Sequence, residues 1–123
     1  MIPSVYFAGR TGRREYFRAL ASKLWIRTSS RWVLNDACEP TPENSAMFWE
    51  IDFQDIRRSD WLICQADEGL RGALVEVGYA LANNIPVILV GDCAEFGTWQ
   101  HHKSIRKVSN MDEALDIVVW RPK

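Results

Sequence analysis

The stretch GALVEVGYALANNIPVILV, residues 72–90, decides the fold. Its first part repeats apolar residues with the spacing of a helix, from about Gly72 to Asn83, and PVILV (86–90) has the β-branched composition of a buried strand. A helix that leads directly into an apolar strand is typical of parallel sheets covered on both faces. Glu76 is the one charged residue of this stretch. A carboxylate in so apolar a segment is costly unless it is paired, hydrogen-bonded or used, so Glu76 is a candidate functional residue.

The remainder of the chain continues this alternation of strands and helices. Further strands are predicted at 4–8 (SVYFA), 31–34 (RWVL), 60–65 (DWLICQ) and 105–108 (IRKV). Helices are predicted at 15–25, from a Thr41-Pro42 start to near Ser59, and at 111–120 after an Asn110 cap. We therefore predict a single α/β domain over residues 1–123. It is a doubly wound, flavodoxin-like or Rossmann-like parallel sheet of about five strands with helices on both faces.

Composition limits the classes of function. The chain has 123 residues and a net charge of −1, without the basic excess of a general nucleic-acid or membrane-surface binder. No apolar run is long enough to span a membrane, and the N-terminus has no signal-peptide pattern. The three cysteines have no metal-ligand spacing, and the adjacent histidines, His101 and His102, do not make a metal pair. We expect a cytoplasmic protein with free thiols, no metal and no cofactor.

The helix around Glu76 leaves room beside the carboxylate. Gly72 and Ala80 lie one turn before and after it, and a separate stripe of Leu74, Val77 and Leu81 is predicted to face the sheet. Glu76 also lies one turn from a helix N-terminus, whose dipole favours the ionised form. The alternative interpretation is that Glu76 caps free amides of its own helix.

Polar residues follow two of the predicted strands. Gly9–Arg13 follows the first strand, and Asp67–Gly69 follows the strand at 60–65. Ligands of doubly wound proteins bind outside the carboxyl ends of the strands, so we expect both segments to face one crevice with Glu76. The six tryptophans are interpreted mainly as core residues, with base stacking as the alternative for one or two of them.

Three segments resemble the nucleoside 2-deoxyribosyltransferase family. They are VEVGYALANNIPVILV (75–90) preceded by Gly72, VYFAG (5–9) and DFQDIRRSDWLI (52–63). The resemblance runs from Val5 to about Leu115 and is weaker between 25 and 45. The family includes transferases that exchange bases on deoxyribose and hydrolases of 2'-deoxynucleoside 5'-monophosphates.

The resemblance implies a pair of catalytic carboxylates. Glu76 would be the nucleophile that attacks C1' of the sugar, and Asp52, eight residues before Asp60, would hold the sugar or assist proton transfer. This is retaining glycosyl chemistry, in which two carboxyl groups typically lie about 5–5.5 Å apart. Asp55 is a possible substitute for Asp52, although pairing with Arg57 or Arg58 at the surface is the favoured interpretation.

The resemblance also implies binding residues. Tyr6 or Phe7 would line the nucleoside pocket, although either could equally be a core residue of a strand. The loop after the first strand would bind a 5'-phosphate through close backbone approach and charge, or would be a solvated basic turn. Its candidate residues are Gly9, Arg10, Gly12 and Arg13.

A neighbouring subunit completes the implied site. Ser104 matches a polar residue that the family supplies to the active site of the next subunit, which predicts a homodimer or a larger homo-oligomer. The expected partner molecule is therefore a small nucleoside or nucleotide. No nucleic acid and no membrane are expected as partners.

One position departs from the family pattern. Leu70 stands six residues before Glu76, where the family has a polar residue, and Asp67, Glu68 or Arg71 could replace its function. The sequence thus supports two hypotheses. The first is cleavage or transfer of an N-glycosidic bond, and the alternative is a non-catalytic nucleotide-binding or sensing protein on the same fold.

Overall fold

A computed structural model describes residues 2–22, 26–35, 41–92 and 97–120. Its centre is a sheet of five parallel strands in the order β2-β1-β3-β4-β5, which confirms the predicted doubly wound α/β fold. The strands are β1 (Ser4–Ala8), β2 (Arg27–Thr28), β3 (Trp61–Gln65), β4 (Val87–Val90) and β5 (Ile105–Val108).

Helices cover both faces of the sheet, and each face has its own apolar core. Phe17 of one helix and Leu115 of another pack on the face that also receives Phe7. Ile56 and Val77 pack on the opposite face, which receives Tyr6 and Cys64. None of the helices in the described ranges is long and apolar enough to cross a membrane. The helices are α1 (Arg14–Ala21), α2 (Arg31–Leu34), α3 (Ser45–Arg57), α4 (Gly72–Ala82) and α5 (Met111–Trp120).

The topological switch point lies between β1 and β3. The chain continues from β1 to β2 on one side and later inserts β3 on the other, so the connections leave the carboxyl ends of β1 and β3 in opposite directions. Ligands of doubly wound proteins bind at this crevice. Arg13, after β1, donates to Asp67, after β3, from Nε at 2.5 Å and from Nη2 at 2.7 Å. The two polar segments therefore face the same crevice, as predicted.

The segment RWVL is helix α2, so its predicted assignment as a strand is wrong. The second strand comes earlier and has only two residues. Beyond it, side chains occupy the hydrogen-bonding positions of β1 that a longer strand would use. The main-chain N–H of Phe7 donates to Ser30 Oγ at 2.8 Å, and Trp32 Nε1 donates to the carbonyl oxygen of Phe7 at 2.9 Å.

The boundaries of the remaining helices follow local hydrogen bonds. Helix α3 begins at Ser45 and not at Pro42, because the Thr41 N–H donates to Asn44 Oδ1 at 2.6 Å and closes a turn before the helix. The predicted cap of α5 is confirmed, since the Glu113 N–H donates to Asn110 Oδ1 at 2.9 Å. Helix α1 ends at Ala21, and the predicted continuation through 23–25 lies outside the described residues.

Candidate active site

Glu76 lies on the buried face of α4 and is 7% exposed. Ala73 and Ala80, which lie three residues before and four residues after it, are buried on the same face, and the adjacent Val77 is buried as well. Of the predicted stripe, Val77 lies in the core, while Leu74 and Leu81 are half-buried and pack against it. Small alanines beside Glu76 allow the helix to approach the sheet closely, so the carboxylate is directed to the sheet.

Tyr6 of β1 is the hydrogen-bond partner of Glu76. Its hydroxyl donates to Glu76 Oε2, so Glu76 binds a side chain of the sheet instead of capping α4. Burial, and then the charge of Glu76, raise the pKa of Tyr6 well above its ordinary value, so the phenol stays neutral and donates. Phe7 lies on the opposite face of the sheet, where it stacks on Phe17 with ring centroids 5.0 Å apart. Of the two predicted aromatic residues, Tyr6 contacts Glu76.

Asp52 is the second carboxyl group near Glu76. It lies half-buried on α3, which packs against α4. Burial and then the charge of Asp52 raise the pKa of Glu76 to about 8, against a lowering by the Tyr6 hydrogen bond. Burial and then Asp55 raise the pKa of Asp52 to about 6, and Arg31 lowers it. Near pH 7 the two carboxyl groups therefore hold about one proton between them.

Asp55 is 2% exposed and is paired with Arg31, so its predicted surface pairing with Arg57 or Arg58 is wrong. Arg31 Nε donates to Asp55 Oδ1 at 2.9 Å, and the Arg31 main-chain N–H donates to Oδ2 at 3.0 Å. Helical spacing identifies neighbours on α3 alone, whereas the partner of Asp55 comes from α2.

The predicted binding residues after β1 and β3 differ in their surroundings. Asp67 is held by Arg13, while Arg10 and Gly12 are exposed. A Cβ atom on Gly9 would lie 3.0 Å from the Phe17 ring, so close packing on α1 explains this glycine.

Gly72 and Ser104 lie at opposite ends of the strands, Gly72 after the carboxyl end of β3 and Ser104 before the amino end of β5. Gly72 begins α4 one turn before Glu76, and a Cβ atom there would be 3.5 Å from the Trp49 ring. Ser104 is exposed and directly precedes β5, at the amino edge, so this chain does not bring it to its own Glu76. Leu70 is buried in the apolar core beneath α4 and provides no polar group.

Trp49 and Arg31 are neighbours of Asp52 that were not predicted as site residues. Trp49 precedes Asp52 by three residues and thus shares its helical face, which is a signal that the sequence contains. No such signal exists for Arg31, because its contact with α3 depends on tertiary packing.

The described residues contain no metal centre, and a surface depression among them lies away from Glu76. No group of three His, Cys, Asp or Glu side chains within these ranges could hold a metal ion. A surface depression of about 360 Å³ lies beside β2, and none of the predicted site residues lines it. Its lining residues are Ile2, Ala21, Ser22, Ile26, Arg27, Thr28 and Leu34.

Comparison with known proteins gives structural neighbours only, since no family model and no curated protein matches the sequence. A conserved protein from Enterococcus faecalis V583 is 18% identical with a TM-score of 0.68, over 96% of this chain and 98% of that chain. The CMP N-glycosidase BcmB from Clostridium botulinum is 15% identical with a TM-score of 0.61, over 93% of this chain and 98% of that chain. The chain shares their fold. At these identities the likeness extends to the fold and no further.

Proposed function

We propose that the chain cleaves the N-glycosidic bond of a nucleoside or nucleotide, with Glu76 as the nucleophile and Asp52 as the proton donor. The observation that carries the proposal is the buried Glu76 carboxyl group, bound by Tyr6 and influenced by Asp52, beside the switch point of the sheet. A solved neighbour with this fold is a CMP N-glycosidase, which supports the same class of reaction.

In the first step a Glu76 oxygen attacks C1' of the sugar from the face opposite the base. The new bond is an ester between Glu76 and C1', and the bond between C1' and the base nitrogen breaks with its electron pair going to the base. The Asp52 carboxyl group donates its proton to the leaving base. The negative charge of Glu76 also stabilises the positive charge that develops at C1'.

In the second step water opens the ester. Asp52, now a carboxylate, accepts a proton from water as the water oxygen bonds to C1' and the bond from C1' to Glu76 breaks. The sugar leaves with the configuration it had, and both carboxyl groups return to their starting states. A second base in place of water would give transfer instead of hydrolysis.

The raised pKa values define the active protonation state. The reaction requires ionised Glu76 and protonated Asp52, which is the minority arrangement of the single shared proton. Because the pKa of Glu76 is raised to about 8 and that of Asp52 to about 6, the shared proton lies mainly on Glu76 in the free protein. The positive charge that develops at C1' is stabilised by ionised Glu76, so the active arrangement is favoured in the transition state.

The loop after β1 supports a nucleotide as substrate. Arg13 is engaged by Asp67, whereas the exposed Arg10 is available to an incoming phosphate at the same end of β1. We therefore propose a 5'-monophosphate, in the deoxynucleoside series that the sequence resemblance implies.

Self-association is part of the proposal. The outer face of α4 exposes Val75, Gly78 and Ala82, and Glu76 is the single charged residue of this helix. A helix that is apolar on its solvent side is typical of an interface. We propose that two copies associate through α4, which would allow Ser104 of one copy to approach the site of the other.

Release of free base, measured by chromatography, tests the activity. Deoxynucleosides and their 5'-monophosphates would be incubated with the wild type, with Glu76→Gln and with Glu50→Gln, each with and without an acceptor base. Glu50 is an exposed carboxylate of α3 and provides the control. Release by the wild type and Glu50→Gln but not by Glu76→Gln supports the proposal, and dependence on acceptor would identify a transferase. Nucleotide binding without release from any substrate would favour the non-catalytic sensor.

A further inference from the structure

The ion pair between the buried Asp55 and the partly exposed Arg31 is not used by the proposed reaction steps. Asp55 follows Asp52 by one helical turn on α3. Both of its oxygens are engaged by Arg31, through Nε, Nη2 and the main-chain N–H at 2.9–3.0 Å. Arg31 Nη2 also donates to Gln54 Oε1 at 3.2 Å. A guanidinium that binds both oxygens of a carboxylate fixes its geometry as well as its charge.

Helix α2, which carries Arg31, is itself attached to the sheet and to α1. Four residues are too few for a helix to be stable on its own hydrogen bonds. Trp32 Nε1 donates to the carbonyl oxygen of Phe7 in β1, and Arg14 Nε of α1 donates to the Trp32 carbonyl oxygen at 2.8 Å. Arg31 therefore connects α3 to the end of β1, the strand that carries Tyr6.

We propose that the Arg31–Asp55 pair is a positioning device for Asp52, which ties the Asp52 turn of α3 to the end of β1 and fixes a negative charge one helical turn from the Asp52 carboxyl group. The attachment of α3 to β1 and the fixed charge near Asp52 do not depend on the activity. The catalytic consequence of the pair rests on the proposed function. That consequence is retention of the Asp52 proton until the base departs.

Four groups act electrostatically on Asp52 or are acted on by it. Arg31 belongs to α2, Asp55 to the same helix, Glu76 to α4 and Tyr6 to β1. After burial, the charge of Asp55 is the largest cause that raises the pKa of Asp52, and Arg31 opposes it. At Asp52, the rise in pKa caused by the charge of Asp55 is therefore larger than the lowering caused by Arg31. Exchanging either member for a neutral residue should shift the Asp52 titration in opposite directions.

The test is an NMR titration of the Asp52 side-chain carboxyl carbon, which needs no substrate. In Asp55→Asn the midpoint should fall by about one pH unit, a tenfold change in proton binding, because Arg31 then acts on Asp52 unopposed. In Arg31→Gln the midpoint should rise. Glu50→Gln, which removes an exposed carboxylate from the same helix, should leave the midpoint unchanged. A merely structural role of the pair would not give shifts of opposite sign.

A midpoint in Asp55→Asn that is unchanged or higher would overturn the proposal. The wild type provides a second measurement in case a variant does not fold. The Arg31 Nε–H resonance should stay protected from exchange at both pH 5 and pH 8, and its loss at either pH would show that the charge is not fixed. If base release is found, its acid limb should move with the Asp52 midpoint. Opposite shifts without base release would sustain the positioning role and reject the proposed function.

Discussion

Replacing Glu76 by glutamine should remove most of the pH dependence of stability between pH 6 and pH 8. The pKa of Glu76 is raised from 4.5 to about 8 in the folded chain, so between these values the folded state holds a proton that the unfolded state has released. The stabilisation from this proton is complete below pH 4.5 and is lost as the pH rises through 8. Glutamine keeps an acceptor for the Tyr6 hydroxyl and does not ionise.

The size of the effect follows from the two pKa values. Integration of the linkage relation from pH 6 to pH 8 gives a loss of about 2 kcal/mol in the free energy of unfolding from Glu76 alone. Other titrating groups are present in both proteins, so the difference between their pH profiles isolates Glu76. Ending the series at pH 8 keeps the Cys64 thiol largely protonated in both states, because its pKa is 9.0 in the ordinary case and is raised to about 12 in the folded chain.

Urea unfolding monitored by tryptophan fluorescence at pH 6, 7 and 8 measures this free energy. The wild type and Glu50→Gln should lose about 2 kcal/mol more than Glu76→Gln across the series. Parallel profiles for the wild type and Glu76→Gln would refute the reasoning, because they would show that Glu76 titrates alike in the folded and unfolded states.

Three other predictions concern the pair and the assembly. The pH profile of kcat/KM should be bell-shaped with limbs near 6 and 8, because the active form holds one proton between Asp52 and Glu76. Activity that still rises at about pH 9 would contradict this. Tyr6→Phe should move the alkaline limb to higher pH, because the Tyr6 hydrogen bond lowers the pKa of Glu76, and should cost about 1–3 kcal/mol in urea unfolding. Val75→Glu should convert the assembly to monomers in light scattering, whereas Asp116→Glu, on exposed α5 surface, should not; an unchanged mass for Val75→Glu would exclude α4 as the interface.

The sequence predicted the sheet well because buried parallel strands are nearly continuous apolar runs. The apolar runs predicted at 4–8, 60–65 and 86–90 contain β1, β3 and β4, and the more polar segment predicted at 105–108 is the edge strand β5. The prediction of a strand at RWVL was wrong because the conformation of this segment depends on hydrogen bonds of Ser30 and Trp32 with the backbone of β1. These contacts join segments more than twenty residues apart. Composition alone gives no sign of such a contact.

The candidate site shows the same division between local and tertiary information. The sequence identified Glu76 because a charge in an apolar run is visible locally. It left Tyr6 and Phe7 equivalent, since alternation along a strand does not say which side chain faces α4. It also assigned Asp55 to the surface, because helical spacing offered Arg58 while the true partner, Arg31, lies 24 residues earlier.

The brevity of β2 has a consequence for the exposed edge of the sheet. Past Val5, the outer edge of β1 is closed by a serine hydroxyl and an indole rather than by another strand. Lifting α2 would uncover unpaired main-chain groups of Phe7 without disturbing the β1–β3 ladder, and such bare edges are templates for pairing with another chain. The amide of Phe7 should therefore exchange with solvent through local opening, at a lower free energy than its neighbours in the ladder. Resistance to aggregation then depends on how rarely this small helix opens.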